Sequence, residues 1–168
     1  KKIKVIEVSS DTNIGGAGKC LLTLLENFDY NTFDVKVVLP KNSLLKPHID
    51  KINIPVIEVD GIADKSLDFA AVKKLRMIFK RERPDIVHTH ASMSARIAAK
   101  QAGAKVVYTR HSVFEPSKKI SRGIGKVING MINNHYADSI IAVAEAAKDN
   151  LTDTGVKESK IKVILNGV

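Results

Sequence analysis

A chain of 168 residues, 44% hydrophobic and 27% charged, is long enough to bury a core and too apolar for a disordered segment. Its 27 Lys and Arg against 18 Asp and Glu leave a net charge of +9, which favours anionic partners, while the single cysteine excludes an internal disulfide framework. No run approaches the roughly 18 apolar residues of a membrane-spanning helix, and the chain opens on a strand pattern with no signal-like segment, so a cytoplasmic location is expected.

IKVIEV (3–8) predicts the first strand. It leads through NIGGAGKC (13–20) into GAGKCLLTLLENF, where Leu21, Leu24, Leu25 and Phe28 recur on one helical face. DVKVVL (34–39) and IPVIEV (54–59) are the next strands. SLDFAAVKKLRMIFKRERP then predicts a helix with Phe69, Val72, Leu75 and Phe79 inward, its bases outward, Ser66 or Asp68 as cap and Pro84 as stop. DIVHTH (85–90), KVVYT (105–109), SIIAVA (139–144) and IKVIL (161–165) complete the strands. Pro116, Gly123, Gly125 and Gly130 argue against one unbroken helix over 113–136. Strands joined through helices need crossover connections, so the expected fold is a single α/β domain over residues 1–168, with a doubly wound, mostly parallel, Rossmann-like sheet.

Ligands of such sheets bind beyond the carboxyl ends of the strands. The residues there are Ser9 to Gly18, His88 to His90, Thr109 to Ser112, and Glu145. Glycines between a strand and a helix let the backbone approach an anion, which the helix N-terminus attracts. A P-loop is excluded, because Asn13 stands where its first glycine belongs and Cys20 where a hydroxyl must hold Mg²⁺. A dinucleotide loop fails too: Leu21 occupies the third small position, and the second strand ends Leu39-Pro40 without the acidic residue that grips a ribose. The turn is left to meet a diphosphate or a hydroxylated substrate. Nucleic acid is not expected, since aromatic residues make up only 5% of the chain and none is Trp.

IGGAGKCLLTLLENF, PDIVHTHAS, VVYTRHS, ADSIIAVAEAAKDNL and KIKVILNGV, in this order, resemble the successive motifs of the amino-terminal half of glycosyltransferase family 4 enzymes. The resemblance implies a GT-B architecture of two facing Rossmann-like domains and transfer of a sugar from a nucleotide donor with retention of configuration. It implies no metal and no other cofactor. Residues 1–168 would then be the acceptor-side domain, and the carboxy-terminal domain that holds most of the UDP- or GDP-sugar would lie outside this chain. By the same resemblance Gly15 and Gly16 border the donor diphosphate and the acceptor, and His111 is the catalytic residue near the transferred sugar.

Arg110 departs from the small or apolar residue usual beside that histidine, and it is assigned with His90 to the lining of the cleft. His88 and His90, two apart on a strand, share a face as a metal pair would. With no carboxylate or thiol to complete the set, no metal is expected and His88 is read as structural. Lys118, Lys119, Arg122 and Lys126 interleave with Ile120, Ile124, Val127, Ile128 and Met131. That pattern suits an anionic membrane surface and a lipid-linked or cell-envelope sugar acceptor. The rival reading is a noncatalytic nucleotide- or anion-binding α/β module.

Overall fold

The computed structural model describes residues 1–63, 66–113 and 115–166. Seven strands, β1 (Ile3–Ser9), β2 (Phe33–Pro40), β3 (Val56–Val59), β4 (Ile86–His90), β5 (Lys105–Arg110), β6 (Ser139–Ala142) and β7 (Ile161–Val163), form an all-parallel sheet in the order β3-β2-β1-β4-β5-β6-β7. This is the Rossmann-like α/β arrangement expected. The strand order reverses between β1 and β4, the switch point at which open α/β sheets bind ligands. The chain divides into two compact units, Lys1–Val106 and Val107–Val168.

In the first unit α1 (Gly16–Glu26), α2 (Lys46–Lys51), α3 (Phe69–Glu82) and α4 (Met93–Gln101) accompany the strands. Side chains alternate across each strand, so every strand feeds two cores. Ile6, Val8, Val38 and Val87 pack with Ala71, Val72, Leu75 and Phe79 of α3 and with Ala95, Ala98 and Ala99 of α4. The three alanines of α4 are small enough for close helix contact. Val5, Val35, Val37 and Leu39 face the other way, onto Leu21 and Leu25 of α1 and Ile49 of α2.

Helix α3 starts where Asp68 caps it, the Asp68 carboxylate accepting from Ala70 N–H at 2.8 Å. It ends at Glu82, because Arg83 takes a left-handed φ of 52° and Pro84 cannot continue the ladder. One inward assignment is corrected: Phe69 is 80% exposed, and Ala71 takes its place in the packed row. Helix α4 is capped by Ser92, whose hydroxyl accepts from Ala95 N–H at 3.1 Å.

The second unit carries α5 (Lys118–Ser121), α6 (Gly123–His135) and α7 (Glu145–Asp153). The glycine-rich segment does break into two helices. Tyr108, Ile140 and Ala142 pack against Ala147 and Leu151 of α7 and against Val156. Gly130 of α6 is buried against the turn after α7, where a Cβ would stand 2.3 Å from the Gly155 carbonyl oxygen, so only glycine permits this approach. Among the described residues, no helix is long and apolar enough to cross a membrane.

Candidate active site

Beyond Ser9 the chain is fastened before it reaches the glycine turn. Asp11 N–H donates to Ser9 Oγ at 3.3 Å, the Ser43 hydroxyl donates to the Asp11 carbonyl at 3.0 Å, and Leu44 N–H donates to the Thr12 carbonyl at 2.9 Å. Gly15 is extended (φ −98°) and caps α1 without any side-chain hydrogen bond. The first-turn N–H groups of a helix have no partner inside it, so those of α1 present positive dipole character at the carboxyl end of β1.

Gly15 and Gly16 are exposed, neither has a positive φ, and a Cβ built on either would meet nothing within 4 Å. Neither packing nor backbone conformation therefore requires glycine at these two positions. Glycine there leaves the space over the helix terminus open. Gly18 differs, since its Cβ would lie 3.0 Å from Leu45 Cδ2, which makes it a packing glycine.

At the same switch point β1 and β4 pair with Glu7 opposite His88 and Ser9 opposite His90. Parallel pairing and side-chain alternation put Glu7, His88 and His90 on one face, where they are 1%, 8% and 2% exposed. The Glu7 carboxylate meets His88 Nδ1 and His90 Nε2, each at 2.9 Å from Oε2, and the two imidazole rings lie 4.5 Å apart. Burial works to raise the pKa of Glu7. The charge and hydrogen bond of His88, with those of His90, outweigh it and hold the carboxyl down to about 2. An ionised carboxylate only accepts, so the two ring nitrogens facing it carry protons. Burial pushes the His90 pKa down, against the pull of Glu7.

Two sequence readings change here. His90 does not line an open cleft; its side chain is buried and bound to Glu7. The histidine pair does have a carboxylate to complete it, and that carboxylate is Glu7. The legible signal was a charged residue inside the apolar run of a central strand. Cys20 of α1 is close enough to Glu7 for the carboxylate, together with the larger effect of partial burial, to raise its thiol pKa.

In the second unit Arg110 ends β5 and is pinned from both sides, Nε donating to the Ser112 carbonyl at 2.9 Å and Nη2 to Asn150 Oδ1 of α7 at 2.7 Å. These bonds clamp the segment that carries His111, which is partly buried between them in sequence. Asn150 was not singled out from the sequence, and its spacing of 40 residues from Arg110 gave no sign of the contact. Glu145 stands exposed in the first turn of α7, where its charge suits the helix dipole; the cap itself is Ala144. On α6, Ile124, Val127, Ile128, Met131 and Ile132 are 78%, 60%, 51%, 66% and 42% exposed, an apolar row turned to solvent. Gly15, Gly16 and His90 thus belong to the first unit, Arg110 and His111 to the second.

The family model for Glycosyltransferase Family 4 matches residues 14–168. The UDP-Gal:alpha-D-GlcNAc-diphosphoundecaprenol alpha-1,3-galactosyltransferase of Escherichia coli is 28% identical over 183 residues, covering 99% of this chain and 45% of its own length. A UDP-N-acetylglucosamine 2-epimerase of Methanocaldococcus jannaschii is 24% identical over 95 residues, 56% of this chain and 26% of its own. Among solved structures, Anabaena HepE in complex with UDP and glucose superposes with a TM-score of 0.76 at 20% identity, over 99% of this chain and 45% of that one. The chain therefore spans about 45% of the length of the relative that it matches along its whole extent.

Proposed function

Because the chain belongs to Glycosyltransferase Family 4, we propose that residues 1–168 are the amino-terminal, acceptor-side half of a retaining GT-B glycosyltransferase. The whole enzyme transfers a hexose from a UDP-sugar to a lipid-linked acceptor of the cell envelope, working at the inner face of the membrane, and the 168 residues alone are expected to be inactive. The observation that carries this reading is the turn at Gly15 and Gly16, where a Cβ would meet nothing within 4 Å and no side chain caps the N-terminus of α1. Support for the substrate class comes from the names of the relatives, one a galactosyltransferase acting on a diphosphoundecaprenol acceptor and one bound to UDP and glucose.

The chemistry follows from where charge develops. As the glycosidic bond to the donor breaks, the nucleoside diphosphate gains negative charge and the sugar becomes oxocarbenium-like. Oriented N–H groups at a helix terminus interact more strongly with the departing diphosphate than with the intact donor, which lowers the barrier. Gly15 and Gly16 keep the approach clear. His111, set by the Arg110 clamp, serves as a hydrogen-bonding group for the sugar near the reacting carbon.

What favours this reading over that of a nucleotide-sugar epimerase is the family match over 14–168; the fold itself is shared with a solved epimerase over 97% of the chain. The test is paired. Calorimetric titration of this chain with UDP-sugars is expected to give a Kd of roughly millimolar or weaker, about 4 kcal/mol, because a diphosphate held on one side only stays largely hydrated. The full-length protein is expected to bind the same sugar tightly and transfer it. Micromolar binding by the 168-residue chain would move the donor site here and favour a self-contained nucleotide-binding module.

A further inference from the structure

The face shared by Glu7, His88 and His90 offers one carboxylate oxygen and two imidazole nitrogens, and these three atoms all lie within 4.8 Å of one another. They come from the paired strands β1 and β4, whose register fixes Glu7 opposite His88, so the set is held by backbone and not by flexible loops. The side chains of Glu7 and His90 are each 1% exposed and that of His88 is 11% exposed. Zinc bonds of about 2.0–2.2 Å in tetrahedral geometry place ligand atoms roughly 3.3–3.6 Å apart. Two edges of the triangle already measure 2.9 Å, from Glu7 Oε2 to His88 Nδ1 and to His90 Nε2. An ion needs these contacts to open by only a few tenths of an ångström.

We propose that Glu7, His88 and His90 form a binding site for a borderline divalent ion of the zinc or cobalt kind. Two nitrogens and one oxygen suit such ions and not Mg²⁺ or Ca²⁺, which take oxygen cages. On binding, His88 Nδ1 and His90 Nε2 give up the protons they direct at Glu7. A neutral imidazole then carries its proton on the other ring nitrogen, and the ion lies where two N–H···O contacts were. A water molecule fills the fourth position. The ion takes no part in sugar transfer, and the site does not depend on the transferase reading. Its effect is to replace hydrogen bonds with metal bonds between β1 and β4, which locks His90.

The experiment uses the 168-residue chain stripped with a chelator and titrated at pH 7.5 with ZnCl₂, CoCl₂ and MgCl₂. Expected are one equivalent of Zn²⁺ bound with micromolar affinity or better, a raised Tm, visible Co²⁺ absorption of a low-symmetry site, and no response to Mg²⁺. Glu7→Gln and His90→Gln are each expected to weaken Zn²⁺ binding by at least about a hundredfold, since losing even a partner that orients a ligand costs roughly 10–100-fold. His48→Gln and His135→Gln, at exposed histidines, leave it unchanged. Where a core variant does not fold, imidazole ¹⁵N spectra of the unaltered protein decide, with His88 Nδ1 and His90 Nε2 expected to shift on adding Zn²⁺. Absence of saturable binding, binding that persists in both core variants, or ring nitrogens that stay unmoved would overturn the proposal.

Discussion

His90 Nε2 donates to the Glu7 carboxylate at 2.9 Å, joining two strands through side chains that are each only 1% exposed. This pair makes stability depend on pH. Glu7 has its pKa held at about 2 against an ordinary 4.5, so its contribution is complete above about 4.5 and is lost as pH falls toward 2. His90 has its pKa lowered from 6.5, so the folded state disfavours its proton and stability also declines below 6.5. Both signs agree: the protein weakens in acid, with Glu7 accounting for on the order of 3 kcal/mol. Urea melts between pH 7 and 3 in the presence of chelator measure it. Glu7→Gln should be less stable at pH 7 and show a flatter profile below 4.5; an unchanged slope would reject the assignment.

The two kinds of glycine at the turn should separate stability from turnover. Gly18→Ala presses a methyl to 3.0 Å from Leu45 Cδ2, and this crowding is expected to cancel the roughly 1 kcal/mol that alanine gains over glycine inside a helix. A Cβ at Gly16 meets nothing within 4 Å, so the folding stability of Gly16→Val should stay within about 1 kcal/mol of the parent. In the full-length enzyme the same valine fills the space intended for the diphosphate, and kcat is expected to fall at least a hundredfold. Thermal melts alongside transfer assays distinguish the two, and normal turnover by a folded Gly16→Val protein would remove the turn from the mechanism.

Arg110 and His111 should differ in how much activity they carry. His111→Ala in the full-length enzyme is expected to lower kcat by roughly a hundredfold, the scale of losing one positioned polar contact in the transition state. Arg110→Lys keeps the charge but cannot hold Ser112 and Asn150 together through a planar fork, so a drop of about tenfold is expected. Asn150→Ala should reproduce most of that drop. If Arg110→Lys is silent while His111→Ala is not, the clamp has no part in placing the histidine.

The α6 row bears on location. Ile124, Val127, Ile128 and Met131 are exposed on a helix preceded by Lys118, Lys119 and Arg122, and Lys126 lies among them. Each base near an anionic leaflet adds up to about 1 kcal/mol, and the apolar row adds burial in the acyl boundary. Co-sedimentation with vesicles should require acidic lipid, weaken at high salt, and fall sharply for Ile128→Asp. Equal binding to neutral vesicles, or none to acidic ones, would assign the row to another partner.

Much of the frame was legible because local chemistry wrote it. Period-two and helical spacing fix strands and helices along the chain, and α-helical crossovers demand parallel strands, so the doubly wound sheet follows from order alone. The Gly15–Gly16 turn was visible for the same reason: a strand, a glycine pair and an apolar helical stripe stand next to one another in sequence. Two short helices were not singled out. In α2 only Ile49 is buried, and α4 packs through alanines, so neither shows a strong apolar period.

The Glu7 cluster was decided by tertiary structure. Glu7 lies 81 residues from His88, and only the parallel register of β1 on β4 sets the carboxylate opposite one imidazole and beside the next. The sequence determined that two histidines share a face, a consequence of strand alternation. Which face, what lies across from it, and how deeply it is buried depend on α1 covering that side of the sheet through Leu21 and Leu25. The Arg110–Asn150 contact has the same origin, since α7 reaches the end of β5 only after 40 residues of intervening chain have folded. Short-range patterns carry periodicity but no register, and register is what turns separated polar residues into a site.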